Sequence, residues 1–283
     1  MEPLWIGGPP GSGKSTIARR LARRHGLRWY NADAHTWEHR DRALAAGHPG
    51  AIRWEALAPA DRWTLPVEEM LALSLHKERG PMVADDVRAL PPDPLTVVEG
   101  TTVTPAIAGR HALWILPTAA LQEARLDERG MSGGRRELYI HLARVIELAV
   151  VAAGAPTLIM DGTATIDEAV ADVERHFADL LTAGPVAASS AERRDLLRYA
   201  NQAVVAQYTG YFARPWTSGD LAGSTAAFMC ECGSPDCDVQ LTLPVTALPD
   251  SPLLAPNHPL PDLAPSHPPT PNHPAEIRIP EKD

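Results

Sequence analysis

The chain has 283 residues, 45% of them apolar, enough to fill one sizeable core with a smaller module beside it, which excludes a wholly disordered protein. Its formal charge is −9, with 20 basic against 24 acidic residues through position 183 and 6 against 11 beyond it; neither part has the positive surplus that a phosphate backbone demands, so nucleic acid is not expected as a partner. No apolar run reaches the roughly 18 residues of a membrane span, and a glycine-rich loop opening at Gly8 leaves no room for a secretory leader, so a cytoplasmic location is expected.

Taken in chain order, the first two thirds alternate between short apolar runs and helical patterns. Residues 3–6 read as a strand, 14–25 as an amphipathic helix and 27–30 as a second strand. Helical spacing follows over 66–78, then strands over 95–98 and 112–116, helices over 119–129 and 135–152, a strand over 157–160 and a helix over 166–181. Continuous apolar runs of this length suit strands buried on both faces, and the alternation predicts an α/β domain with a parallel sheet over 1–183. Thr165 followed by Glu168 is a capping box for the last helix. The small residues 184–190 read as a linker, and Ser189 with Glu192 opens another helix to about Phe212. A cysteine cluster follows, so 191–248 is expected as a helix plus a Cys-rich module. From Pro249 to Asp283 the proline content blocks helix and central strand and predicts an extended, largely disordered tail.

Gly8-Pro9-Pro10-Gly11-Ser12-Gly13-Lys14-Ser15 fits G-x-x-x-x-G-K-[ST] between a strand and a helix. Glycines let successive amides turn inward around an anion, and the following helix adds its free N–H groups and positive dipole end. Lys14 can sit between the β- and γ-phosphates of ATP, the Ser15 hydroxyl can bind Mg2+, and Thr16 supports a phosphate. Glu99 closes the third strand at the edge where open α/β sheets bind ligands. It is a candidate for holding Mg2+ or orienting an acceptor, against a merely solvated carboxylate. Asp33 ends the second strand at the same edge and is the candidate for accepting the acceptor's hydroxyl proton, with a loop-capping aspartate as the equal alternative. His35, His39 and the pair Asp85-Asp86, expected after a helix, are weaker candidates. Arg129 and Arg135 flank Gly130-Met131-Ser132-Gly133-Gly134, an arrangement suited to a closing lid that stabilises the transferring phosphoryl group.

The glycine-rich loop, the strand-end Asp33, the Glu99-Gly100 pair and the arginine segment together resemble adenylate-kinase-type P-loop kinases, a group that includes shikimate, gluconate and nucleoside kinases and antibiotic phosphotransferases. That resemblance covers residues 1–183. It implies a five-stranded parallel sheet in the order 2-3-1-4-5, ATP as donor, a closing lid, and an acceptor-side role for Asp33. The segment 36–93, where the acceptor would be chosen, matches no acceptor signature.

Cys230, Cys232 and Cys237 form C-x-C-x4-C, with Gly233 and Pro235 allowing a tight turn and His258 the nearest downstream histidine. Two readings stay open: a structural zinc site of Cys3His type, or free or redox-active thiols. The segment also resembles a small C-terminal module of actinobacterial proteins carrying Cys-Glu-Cys-Gly, a later Cys and a downstream His. The function expected from the whole is ATP-dependent phosphorylation of a hydroxyl on a small molecule. The alternative is a nucleotide-dependent switch that acts on a protein partner through the C-terminal module.

Overall fold

Leu4–Gly7 (β1) is buried at all four positions, with Leu4 and Ile6 facing one side of a sheet and Trp5 the other. Arg28–Asn31 (β2), Thr96–Gly100 (β3) and Ala112–Pro117 (β4) show the same two-sided alternation, whereas Thr157–Met160 (β5), expected to be buried on both faces, is an edge strand that turns Leu158 and Met160 to the core and leaves Thr157 and Ile159 exposed. In the computed structural model, which describes residues 2–258, these five strands pair in parallel in the order β2-β3-β1-β4-β5. This is the doubly wound order expected from the sequence. Helices cover both faces because parallel strands can be joined only by crossovers. On one face Lys14–His25 (α1) and Ile166–His176 (α8) bury Ile17, Leu21, Val170 and Val173 against Leu4, Ile6 and Ile115. On the other, Gly133–Ala152 (α7) buries Leu142, Ile146 and Val150 beside Trp5, Val98 and Trp114.

Between β2 and β3 the chain makes a helical insert: Thr36–Ala45 (α2), Pro49–Ala56 (α3), Val67–Leu73 (α4) and His76–Ala89 (α5). The helix expected over 66–78 is therefore two. Leu75 takes a left-handed conformation, φ 60, which turns its fully buried side chain into a cluster with Ala43 and Ala51. A non-glycine residue holds such a φ only where packing repays it. The helix α5 then runs past Asp85 and Asp86, which lie inside it rather than after it. Asp86 accepts hydrogen bonds from Tyr30 (2.6 Å) and Arg42 and pairs with His39 (2.6 Å), so it holds the insert to β2. Ala119–Glu128 (α6) matches its expected span. The helix expected over 166–181 breaks at Phe177, whose buried ring belongs to the core, and restarts as Ala178–Ala183 (α9). The Thr165/Glu168 capping box is formed as read.

Residues 184–190 hydrogen-bond to the sheet domain: Leu95 N–H donates to Pro185 O (2.8 Å) and Ala187 N–H to Gly26 O (2.8 Å). Ser190–Phe212 (α10) follows, with the Ser189 hydroxyl accepting from Glu192 N–H as expected of a cap. It packs along β2, the turn at Ala32–His35 and α2. Thr225–Met229 (β6) and Gln240–Pro244 (β7) pair antiparallel and are joined by the cysteine loop. Residues 249–258, read with the tail, fold back over that loop: Leu253 and Ala255 are buried, and Arg198 donates to the carbonyls of Pro249 and Ser251. The rest of the expected tail, 259–283, lies outside the described residues. No helix among the described residues is long and apolar enough to cross a membrane.

Candidate active site

The loop after β1 turns through Gly11 (φ 84) and Gly13 (φ 90), both in the left-handed region open to glycine. Ser12, fully buried, accepts from Lys14 N–H through its hydroxyl (3.3 Å) and donates its own N–H to Pro9 O (3.2 Å). From the other side α6 fastens the loop, Arg125 Nη1 donating to Gly11 O (2.7 Å) and Gln122 Nε2 to Pro10 O (3.2 Å). The curl is thus fixed with its amides at the start of α1, a helix end with no acidic residue in its first turn. A helix end built this way suits an anion.

A cleft of about 510 Å³ opens over this helix end. Its floor is Pro10, Gly11, Gly13, Lys14, Ser15 and Thr16. Of the other loop residues, Gly8 and Ser12 are buried beneath the curl, and Pro9 faces a neighbouring hollow beside Gln122. Asp33 forms the opposite wall, its Oδ2 3.6 Å from Lys14 Nζ and its Oδ1 accepting from Thr101 Oγ1 (2.9 Å). Burial works to raise the Asp33 pKa, but Lys14, Arg79 and Thr101 outweigh it and hold the carboxyl below the ordinary range. Asp33 also follows the Asn31 side-chain cap of its turn, so the loop-capping work falls to Asn31.

Arg129 reaches the cleft, whereas the Arg135 guanidinium lies 4.7 Å over the Trp63 ring and outside the cleft wall. Arg136, on the same helix, pairs with Asp127 and Glu123. The remaining walls come from residues that sequence reading missed: Thr36, Arg79, Thr101, Tyr139 and, from α10, Gln207. Arg79 is buried and donates to Ala32 O (2.7 Å). Nearby His76 is a neutral imidazole, since burial and Arg79 push its pKa down to about 4. Only Thr101, next to Glu99-Gly100, had a signal in the sequence; the others sit in helices whose patterns report burial, not chemistry.

Glu99 is fully buried, with Oε2 accepting from Ser15 Oγ at 3.1 Å, while no donor among the described residues meets Oε1 in good hydrogen-bond geometry and the nearby Trp29 indole only weakly favours the ionised form. Burial, with Asp33 adding to it and Lys14 opposing, pushes its pKa up to about 7. A desolvated carboxylate beside a serine hydroxyl is a hard-oxygen donor set, which fits Mg2+. A cation there would satisfy the orphaned oxygen and keep the group ionised.

On the far side of α1 the thiols of Cys230, Cys232 and Cys237 and the His258 ring bring one ligand atom each to within 4.8 Å of one another. His258 Nδ1 is 3.4 Å from both Cys230 and Cys237 Sγ. Three thiols gathered with one imidazole are a donor set that suits zinc. Outer partners are in place too: Arg23 donates to Cys232 Sγ (3.2 Å) and to the Cys230 carbonyl (2.8 Å), and Ala255 N–H to Cys230 Sγ (3.2 Å). Such donors stabilise thiolate and set ligand orientation.

No protein-family model matches the chain, and no curated protein does. Among solved structures it is similar to a sugar kinase from Janibacter sp. (17% identity, 63% of this chain and 95% of that one, TM-score 0.37). It is similar also to a gluconokinase from Sinorhizobium meliloti (15%, 64% and 94%, TM-score 0.36) and to a protein from Thermus thermophilus (22%, 64% and 98%, TM-score 0.41). The fold assignment stands on the strand order and the loop after β1.

Proposed function

We propose that this chain is an ATP-dependent phosphotransferase acting on a hydroxyl of a small molecule. The observation that carries the reading is the facing pair at one end of the cleft: Lys14 on the phosphate loop and Asp33 3.6 Å away on the opposite wall. The amides of residues 11–16 and Lys14 would hold the polyphosphate, with the γ-phosphoryl directed toward Asp33. Mg2+, held by Ser15 and Glu99, would neutralise phosphate charge. Asp33 orients the acceptor O–H. As that oxygen bonds to the γ-phosphorus and the bond to the β–γ bridging oxygen breaks, the proton passes to Asp33 and ADP leaves. The low pKa of Asp33 makes it a weak base at equilibrium, so the proton moves late, once bond formation has acidified the hydroxyl. Arg129 in the cleft supports charge on the equatorial oxygens; Arg135 would do so only by leaving Trp63 as the lid closes.

One observation favours the second reading, a nucleotide-dependent switch. The cysteine module is fastened to the phosphate-binding helix itself, Arg19 and Arg20 pairing with Asp238 and Arg23 gripping the loop. In either reading zinc would be structural, holding a module whose own core is small. The test is mass spectrometry of a small-metabolite mixture incubated with the protein and Mg-ATP, repeated with Asp33→Asn. A phosphorylated product that vanishes in the variant, at nearly unchanged ATP affinity, supports the kinase. Full activity of the variant removes Asp33 from the mechanism, and ATP turnover without any product moves the assignment to the switch.

A further inference from the structure

One wall of the cleft does not come from the sheet domain at all. Gln207 lies about three quarters of the way along α10 and borders the same cavity as Asp33, Thr36, Thr101 and Arg79. Its Oε1 is buried and has no hydrogen-bond partner among the described residues. Leaving a carboxamide oxygen desolvated and unpaired costs about 1–3 kcal/mol, so a ligand donor that meets it, with a small turn of the side chain into the cavity the residue borders, would recover that cost.

The surroundings fix where Gln207 sits. Gly210, one turn further along α10, lies so close to α2 that a Cβ there would stand 2.8 Å from the Trp37 Cβ. Arg214 pairs with Asp41 (2.7 Å) and donates to Trp37 O (3.2 Å), and the Trp216 indole donates to Glu55. In its first half and at its middle α10 is held by the Arg198–Glu231 pair and by Asn201, which donates to Met229 O (3.0 Å) and Glu231 Oε1 (2.7 Å). Between these anchors, the helix keeps Gln207 against the acceptor side of the cleft.

We infer that Gln207 is an acceptor-recognition residue, its carboxamide oxygen accepting from a second hydroxyl or amine on the molecule whose reacting hydroxyl is held by Asp33. The acceptor is then a polyhydroxylated or amino-hydroxylated compound rather than a monohydric alcohol, and the C-terminal module takes part in choosing it. This inference rests on the kinase reading of the cleft.

The test uses the full chain with Mg-ATP and an equimolar probe mixture of glycerol, D-glucose, D-gluconate, D-glucosamine, ethanol and 1-butanol, with phosphorylated products identified by mass spectrometry. Wild type is expected to phosphorylate at least one polyol or amino sugar and neither alcohol. Gln207→Leu should raise KM for that acceptor about 10-fold or more, the usual weight of a hydrogen bond whose loss leaves a partner unpaired, with KM for ATP unchanged. Gly210→Ala should act in the same direction with Gln207 intact, because its new Cβ pushes α10 away from α2. An unchanged acceptor KM in both variants overturns the role of Gln207 while leaving the kinase standing. Ethanol or butanol used as well as the polyols overturns the acceptor class. No product from any probe or from the small-metabolite mixture sinks the kinase reading and this inference with it, whereas a mixture product from an acceptor with a single hydroxyl and no amine overturns this inference alone.

Discussion

Replacing Glu99 with Gln should make the ligand-free protein more stable and the ligand-bound protein less so. The side chain keeps its shape but can no longer ionise. In the wild type the folded-state pKa is raised from 4.5 to about 7, chiefly by burial. The folded protein therefore holds this proton more tightly than the unfolded chain, and stability is lost as pH rises from about 4.5 to about 7. A shift of that size corresponds to roughly 3 kcal/mol once the group is fully ionised, or a Tm difference on the order of 5–10 °C for a chain of this length. Thermal unfolding between about pH 5 and pH 9, without nucleotide, should show Glu99→Gln above the wild type at alkaline pH and converging with it near pH 5. With Mg-ATP the order should narrow or reverse, since the cation offsets the cost of the wild-type carboxylate and gains nothing from an amide. Calorimetry near pH 6 should show a proton released when Mg-ATP binds the wild type and none released from the variant. A ligand-free variant with the same pH slope as the wild type, or lower stability near pH 8, would refute the argument.

Lys14→Ala should weaken Mg-ATP binding about 10- to 100-fold, the weight of a hydrogen bond to a charged group, with the fold intact by circular dichroism; calorimetry decides. Gly8→Ala should cost about 2 kcal/mol or more in chemical denaturation, because Gly8 has φ 148 and a Cβ would lie 2.3 Å from the Ile115 carbonyl oxygen. Protein purified without chelator should contain about one zinc per chain by elemental analysis, as a filled structural site does. Cys232→Ser should lose most of that metal, whereas Arg23→Met should keep it but release it to a chelator at roughly 10- to 100-fold lower concentration. A metal content near zero in the wild type leaves the thiols as the reading.

The phosphate half of the cleft was legible in the sequence because its chemistry is local. Eight consecutive residues carry the curl, the charge and the hydroxyl, and the apolar run before them and the helix after them fix which way they face. Asp33 and Glu99 could be placed at this edge from the sequence because Glu99 lies near the end of β3 and Asp33 in the turn just after β2, and strand ends of a parallel sheet converge on one edge. The acceptor half was hidden for the opposite reason. Arg79 lies on α5, Tyr139 on α7 and Gln207 on α10, and each reads as an ordinary helical position until tertiary contacts bring it to the cavity. Arg135 shows the limit of proximity along the chain, since a tryptophan from the insert claims it instead. The break at Leu75 was equally invisible, because helical periodicity runs through a residue whose left-handed turn is imposed by packing alone.

The way α10 lies along the edge strand β2 has a practical corollary. A fragment stopped at residue 183 would lose the Pro185 carbonyl that pairs with Leu95, leave Gly26 O without Ala187, and bare the Trp29 face that Leu197, Ala200 and Met229 cover. Unpaired edges and newly wetted indoles invite association between copies. Trimming this protein to residues 1–183 should yield inclusion bodies rather than a soluble fragment, and gene shuffling that separates the two parts should be tolerated poorly for the same reason.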